Sequence, residues 1–296
     1  MSKALGEIRE QIDSIDNQVH DLLMQRASLV SSVAAAKKKD GLQIVQPARE
    51  ARMMRRLLNR HHGTLPRMTI VRIWRELVSS VALLQTGFSV VVASSEKSNP
   101  YWDVAKDYFG SSIPMKKVSG TANALSEVQE YGDCFAVLPW PELGEEQPWW
   151  KHFLNQQSDG RLSIICALPY GKNKKDDVDS FERALVISDI EFLPSDDDVT
   201  FVGLELGSDV SRARILACAE QAGLKLVNIY SETNENQANA HKAHLLEVLG
   251  YWLDDDLELS SLNKAFDGKC YALQVLGGYP VVPDIRDTHC AKESAA

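Results

Sequence analysis

Residues 5–39 place an apolar side chain every three or four positions with no glycine or proline after Gly6, and this stretch constrains the fold more than any other. Ile8, Ile12, Ile15, Val19, Leu22, Leu29 and Val33 follow the period of one long amphipathic helix. Asp40-Gly41 supplies a stop signal. Pro47 opens a second helix over 47–60, at the first helical position where its missing N–H costs nothing. His61-His62-Gly63 ends it. A third helix is predicted from Pro66 to Gln85, with Ile70, Ile73, Trp74, Leu77, Val78, Val81 and Leu84 on one face and Gly87 closing the unit. Residues 1–87 thus read as an all-α domain.

Extending the stripe of the first helix in steps of three and four reaches Arg26 and Lys37, two cations on the face that should be buried. They differ by about 20° in helical phase and lie roughly 16 Å apart along the axis, so two long side chains converge on one small ligand. Unpaired buried cations are costly, which points to an anion between them. The alternative is that both snorkel to solvent, or pair with Glu50 or Asp13 in a structural network. Arg9 lies about 42 Å from Lys37 along a continuous helix, too far to share its pocket within one chain. An antiparallel partner helix brings Arg9 of one chain beside Arg26 of the other. So long and regular a stripe also needs a partner to cover it, and an intertwined homodimer with two composite sites is expected.

Charge sharpens this reading. Residues 1–87 hold 14 Lys/Arg against 8 Asp/Glu, whereas the whole chain has a net charge of −9. A basic first domain in an acidic protein suggests a small anionic ligand. Arg52, Arg55, Arg56 and Arg60 lack the aromatic platforms or motifs of a nucleic-acid surface and read as a solvated or dimer-flanking helix face. His61-His62 has no further ligands at metal spacing. The five cysteines never form CxxC and read as reduced core thiols. The segment MSKALGEIRE has no apolar leader core and no run is long enough to span a bilayer, so a cytoplasmic protein without membrane association is expected.

After residue 87 the pattern changes. Short β-branched runs at 88–93, 134–138, 162–168 and 184–187 alternate with helical segments at 101–109 and 121–131, predicting a small α/β lobe with a largely parallel sheet over 88–195. An acidic linker, Ser195-Asp196-Asp197-Asp198, follows. Residues 196–285 then read strand 200–206, helix 210–222, strand 225–230, strand 241–250, helix 257–266 and strand 270–276, a ferredoxin-like βαββαβ order. Residues 286–296 are a polar tail. Trp149-Trp150 reads as the cover of a small core or interface rather than a pocket wall.

The segments IREQIDSID, Gln25-Arg26, Lys37, PAREA and IWRELVSSVALLQ together resemble the all-helical class of chorismate mutases across residues 5–86. The resemblance implies a cofactor-free enzyme that rearranges chorismate to prephenate in aromatic amino-acid biosynthesis. It implies that Arg9 of the partner and Arg26 hold the substrate carboxylates. Lys37 and Gln85 would donate to the ether oxygen, Arg49 would support the site, and Glu50 would receive the ring hydroxyl. The chemistry agrees, because a pericyclic step needs orientation and donors where charge grows on the ether oxygen. Gln85 also falls on the apolar stripe of its helix, where an amide without a ligand is poorly satisfied. The chain departs from the family at Gln46, where many relatives are acidic, and at Val81, where a hydroxyl is frequent.

Residues 88–285 resemble the back half of bifunctional mutase–dehydratases, a prephenate dehydratase domain followed by an ACT domain, down to the closing Leu276-Gly277-Gly278-Tyr279-Pro280. The dehydratase motifs are missing. Ser94-Ser95-Glu96-Lys97-Ser98-Asn99 replaces a glycine-rich turn, Trp140-Pro141-Glu142-Leu143 replaces an ENS-type loop, and Glu182-Arg183-Ala184 aligns with the motif carrying the catalytic threonine. One lobe is deleted, so this region is expected to be inactive. The ACT-like region lacks the usual effector contacts at Ser208-Asp209-Val210-Ser211 and Ser231-Glu232-Thr233, leaving an amino-acid effector and a purely dimerising role both open. Two competing readings remain: a bifunctional mutase/dehydratase, and a non-catalytic ACT-containing regulatory scaffold.

Overall fold

The computed structural model describes residues 3–39, 43–94, 100–154, 161–171, 183–233, 241–281 and 285, with residues 3, 31 and 34–39 described by backbone alone. The three N-terminal helices are α1 (Lys3–Lys39), α2 (Pro47–Arg60) and α3 (Arg67–Thr86). Pro47 opens α2 as expected. Gly87 ends α3 at φ +72°, a left-handed conformation that favours glycine, with its N–H bonded to the Leu83 carbonyl at 2.8 Å. The expected stop at Asp40-Gly41 lies outside the described residues.

The helix faces are used differently from expectation. Helix α3 buries Val71, Arg75, Ser79 and Ala82, the face beside the predicted one, while Ile73 and Leu84 are exposed. Ile70 and Trp74 of the predicted face still pack against the core shared with the sheet, so the helix carries two stripes and the apolar pattern captured part of each. On α1 the whole stripe is open within one chain: Ile15, Leu22 and Leu29 are 58%, 63% and 65% exposed.

The remaining chain runs β1 (Ser89–Ser94), α4 (Tyr101–Phe109), β2 (Met115–Ser119), α5 (Gly120–Glu130) and β3 (Cys134–Pro139). A 3-10 turn (Trp149–Phe153), β4 (Ser163–Leu168) and β5 (Ala184–Ser188) follow. Then come β6 (Asp198–Gly207), α6 (Arg212–Gln221), β7 (Leu226–Ser231), β8 (His241–Leu249), α7 (Leu257–Ala265) and β9 (Cys270–Pro280). The elements from β6 to β9, residues 198–280, therefore follow a βαββαβ order, as the periodicity predicts.

Among the described residues nine strands form one mixed sheet in the order β2-β1-β3-β5-β4-β9-β6-β8-β7. The lobe is not largely parallel, because β1 runs parallel to β2 and β3 while β5 is antiparallel to both β3 and β4. The polar run Met115–Ser119 gives β2, an edge strand too hydrophilic to stand out in the sequence. Strand β9 links the two parts, pairing with β6 along its length and with β4 at Ile164↔Gly277. Close approach demands glycine there: a Cβ on Gly277 would lie 2.2 Å from the Ile164 carbonyl oxygen, and one on Gly278 2.2 Å from that of Val199.

Two cores flank the lobe's strands. On one face Met54 and Leu58 of α2 and Val71 and Ala82 of α3 share a core with Val90, Val92, Phe109 and Phe135. On the other, Trp149, Trp150 and Phe153 pack with Phe201, Leu245 and Tyr279 of the C-terminal strands. Both tryptophans are thus buried between the lobe and the βαββαβ unit. Cys134, Cys166 and Cys218 are buried free thiols and Cys270 is half-buried; Cys290 lies outside the described residues. Among the described residues, no helix is long and apolar enough to cross a membrane.

The acidic segment expected as a linker is built into the fold at both ends, while Asp196 and Asp197 between them are exposed. Ser195 and Asp198 are buried, with the Ser195 N–H and hydroxyl donating to the Asp198 carboxylate at 2.7 and 2.6 Å. Helix α2 docks on this corner. Arg52 pairs with Asp196 at 2.9 Å, and Arg55 donates to the carbonyls of Ser195, Asp197 and Val281 at 2.5, 2.8 and 3.1 Å. Two arginines expected on a solvated or dimer-flanking face instead tie the helices to the sheet by donating to backbone carbonyls at its corner.

Candidate active site

A cleft of about 520 Å³ opens between α1, α2 and α3. That volume suits a small organic ligand. Arg26, Leu29, Val30 and Val33 of α1 form one wall. Arg49, Glu50, Met53 and Arg56 of α2 form a second, and Val78, Val81 and Gln85 of α3 the third. Four of the six predicted site residues, Arg26, Arg49, Glu50 and Gln85, therefore meet in one cavity. Gln46 and Val81, the two departures from the family pattern, line it too.

The other two predicted residues stand differently. Arg9 sits exposed on α1, about 25 Å from Arg26 along the helix axis by helical rise. Lys37 lies on the last turns of α1, and its side chain is outside the described residues.

The chemistry of the cleft follows from its lining. Arginines outnumber the single carboxylate, and the remaining walls are aliphatic, so the cavity favours an anion with an apolar body. Among the described residues the Gln85 amide makes a single long contact, 3.4 Å to the Val30 carbonyl. Its donor is available to a ligand in a way a well-made hydrogen bond would not allow.

Glu50 is anchored on its far side. Arg75 Nη1 donates to Glu50 Oε2 at 2.7 Å, and Arg75 is buried. Burial opposes the guanidinium charge, yet Tyr108 and Glu50 beside it hold the group above its ordinary value, so it stays charged. The sequence reading missed Arg75. Its signal was present as a cation at the centre of the stripe Val71, Arg75, Ser79 and Ala82, the same anomaly that singled out Arg26 and Lys37 on α1.

Positions that the resemblance assigns to dehydratase chemistry hold a different arrangement. The Arg183 guanidinium stacks on the Trp140 ring at 3.4 Å, and Trp140 Nε1 donates to the Tyr230 hydroxyl at 2.8 Å. Tyr230 and Tyr279 both donate to the buried Glu247 carboxylate, at 3.0 and 2.5 Å. These groups satisfy one another across the junction of lobe and C-terminal strands.

Residues 8–86 match the family model of chorismate mutase type II. A bifunctional chorismate mutase/prephenate dehydratase of Aquifex aeolicus is 27% identical over 139 residues, which is 46% of this chain and 38% of that protein. The alignment is longer than the family-model match, and this chain spans under two fifths of that relative's length. A chorismate mutase of Methanocaldococcus jannaschii is 44% identical over 50 residues, 17% of this chain and 50% of that protein. The solved prephenate dehydratase of Streptococcus mutans overlays 65% of this chain and 97% of its own at 14% identity and a TM-score of 0.43. The three N-terminal helices, residues 8–86, are a chorismate mutase type II domain.

Proposed function

We propose that this chain is a homodimeric chorismate mutase that converts chorismate to prephenate without a cofactor. The convergence of Arg26, Arg49, Glu50 and Gln85 from three helices on one cleft carries the reading. In this account residues 1–87 form the mutase domain of an intertwined dimer, and Arg9 reaches the cleft of the partner chain. Arg9 and Arg26 hold the two carboxylates, Arg49 supports them, and Glu50 accepts the ring hydroxyl. Lys37 and Gln85 donate to the ether oxygen as its bond to carbon breaks. The exposed stripe of α1 supports the dimer, since an apolar seam of that length is rarely left to water. Residues 88–195 act as a dehydratase-like lobe without dehydratase activity, which the Arg183–Trp140 stack supports. Residues 196–285 act as an ACT-like module, either as the site of an amino-acid effector or as a dimerising element, in a cytoplasmic enzyme of phenylalanine and tyrosine synthesis.

Gln85→Glu tests the assignment. A carboxylate cannot donate to the ether oxygen and a carboxylic acid can. The variant is expected to rearrange chorismate only at acid pH, with activity falling as the new carboxyl ionises, whereas the wild type keeps its donor throughout. A variant whose kcat/KM does not vary with pH contradicts the role of Gln85.

The second reading is a bifunctional mutase/dehydratase, which the name of the Aquifex aeolicus relative favours. Phenylpyruvate formation from prephenate separates it from the first.

A further inference from the structure

Glu50 faces the cleft from α2, but the group that fixes it comes from behind. The planar guanidinium of Arg75 donates through Nη1 to Glu50 Oε2 and through Nε to the Tyr108 carbonyl, both at 2.7 Å. Its carbon lies 3.7 Å from the centre of the Tyr108 ring and 5.6 Å from that of Tyr170. Tyr108 belongs to α4 and Tyr170 follows β4, so both belong to the α/β lobe. The side chains of Arg75 and Glu50 are 4% and 13% exposed. A rigid fork held at two points in a dry site leaves the carboxylate little rotational freedom. With Oε2 engaged, Oε1 is the oxygen left for a ligand hydroxyl.

We propose that Arg75 is the positioning residue for Glu50, and that the α/β lobe serves the mutase cleft by holding Arg75 in place. This inference rests on reading the cleft as the chorismate site. It gives the lobe a physical task in the mutase cleft that does not depend on any chemistry of its own. The lobe supplies the backbone carbonyl and the aromatic face that an arginine on an isolated three-helix unit would have to find in water.

A double-mutant cycle on the full-length chain tests it, with kcat and KM measured on chorismate for Arg75→Met, Glu50→Gln and the double variant. Arg75→Met is expected to lower kcat/KM about tenfold or more when Glu50 is present, and less than about threefold in the Glu50→Gln background, as for two residues in one hydrogen-bonded network. Arg75→Lys keeps the charge but loses the fork and should fall between. Losses that simply add overturn the proposal, because they leave Arg75 a general support of the fold. Should Arg75→Met fail to fold, the same cycle run with Arg75→Lys decides by the same criterion. A folded wild type that leaves chorismate untouched removes the reading of the cleft itself. An active wild type with additive losses removes only the role of Arg75.

Discussion

Lys37→Ala is expected to lower kcat for chorismate by about 10²- to 10³-fold while the protein stays folded and dimeric, because one preorganised donor aimed at developing charge contributes about 3–4 kcal/mol. Lys37 lies on the extension of the α1 stripe through Arg26, Leu29 and Val33, three residues that line the cleft. The rearrangement breaks a carbon–oxygen bond and builds negative charge on the ether oxygen, which can only accept hydrogen bonds. An ammonium there stabilises the transition state more than the bound substrate, so the loss should appear in kcat rather than KM. Steady-state kinetics with circular dichroism and sedimentation on the same sample separate this from unfolding. A loss below tenfold contradicts the ether-oxygen role.

Ile15→Asp combined with Leu22→Asp is expected to abolish dimerisation and mutase activity together. These side chains are 58% and 63% exposed in a single chain, within an apolar stripe on a helix of 37 residues, about 56 Å long. Covering that stripe in two chains removes enough apolar surface to offer on the order of 10 kcal/mol before the entropy of association is subtracted. Two carboxylates placed on the seam each cost several kcal/mol when buried unpaired. The sheet and the core shared by α2 and α3 are untouched, so thermal unfolding of the rest should change little. Sedimentation velocity should show a folded monomer without activity. A double variant that keeps full activity as a monomer contradicts the composite site.

The local architecture was legible wherever one helix or strand answers to one surface. The limits of α2 followed from Pro47 and His61, and the end of α3 from Gly87, because each boundary is set by a local conformational rule. The face of α3 was misread because two surfaces compete for it, one against the sheet and one toward the cleft. The parallel content of the lobe was misjudged because β4 and β5 form a local antiparallel pair, an arrangement invisible to a period-two pattern. The acidic segment looked like a linker because its burial depends on Arg52 and Arg55, some 140 positions earlier in sequence. For the site, helical phase singled out Arg26 on α1 and the apolar stripe of α3 singled out Gln85, whereas Arg49 and Glu50 were reached through the family resemblance. Arg75 was missed because it lies off the apolar stripe predicted for α3, although it is a cation on the buried face, and its partners on α2, on α4 and after β4 come beside α3 only in the folded chain.

The measurement that bears most directly on the account is the loss of chorismate absorbance on adding the purified full-length protein, with the product assayed for prephenate and phenylpyruvate. Chorismate consumption that accumulates prephenate and forms no phenylpyruvate at neutral pH is the predicted result. Phenylpyruvate formation contradicts the inactivity of the dehydratase-like lobe, and no loss of chorismate with a folded dimer contradicts the mutase and points to the regulatory scaffold.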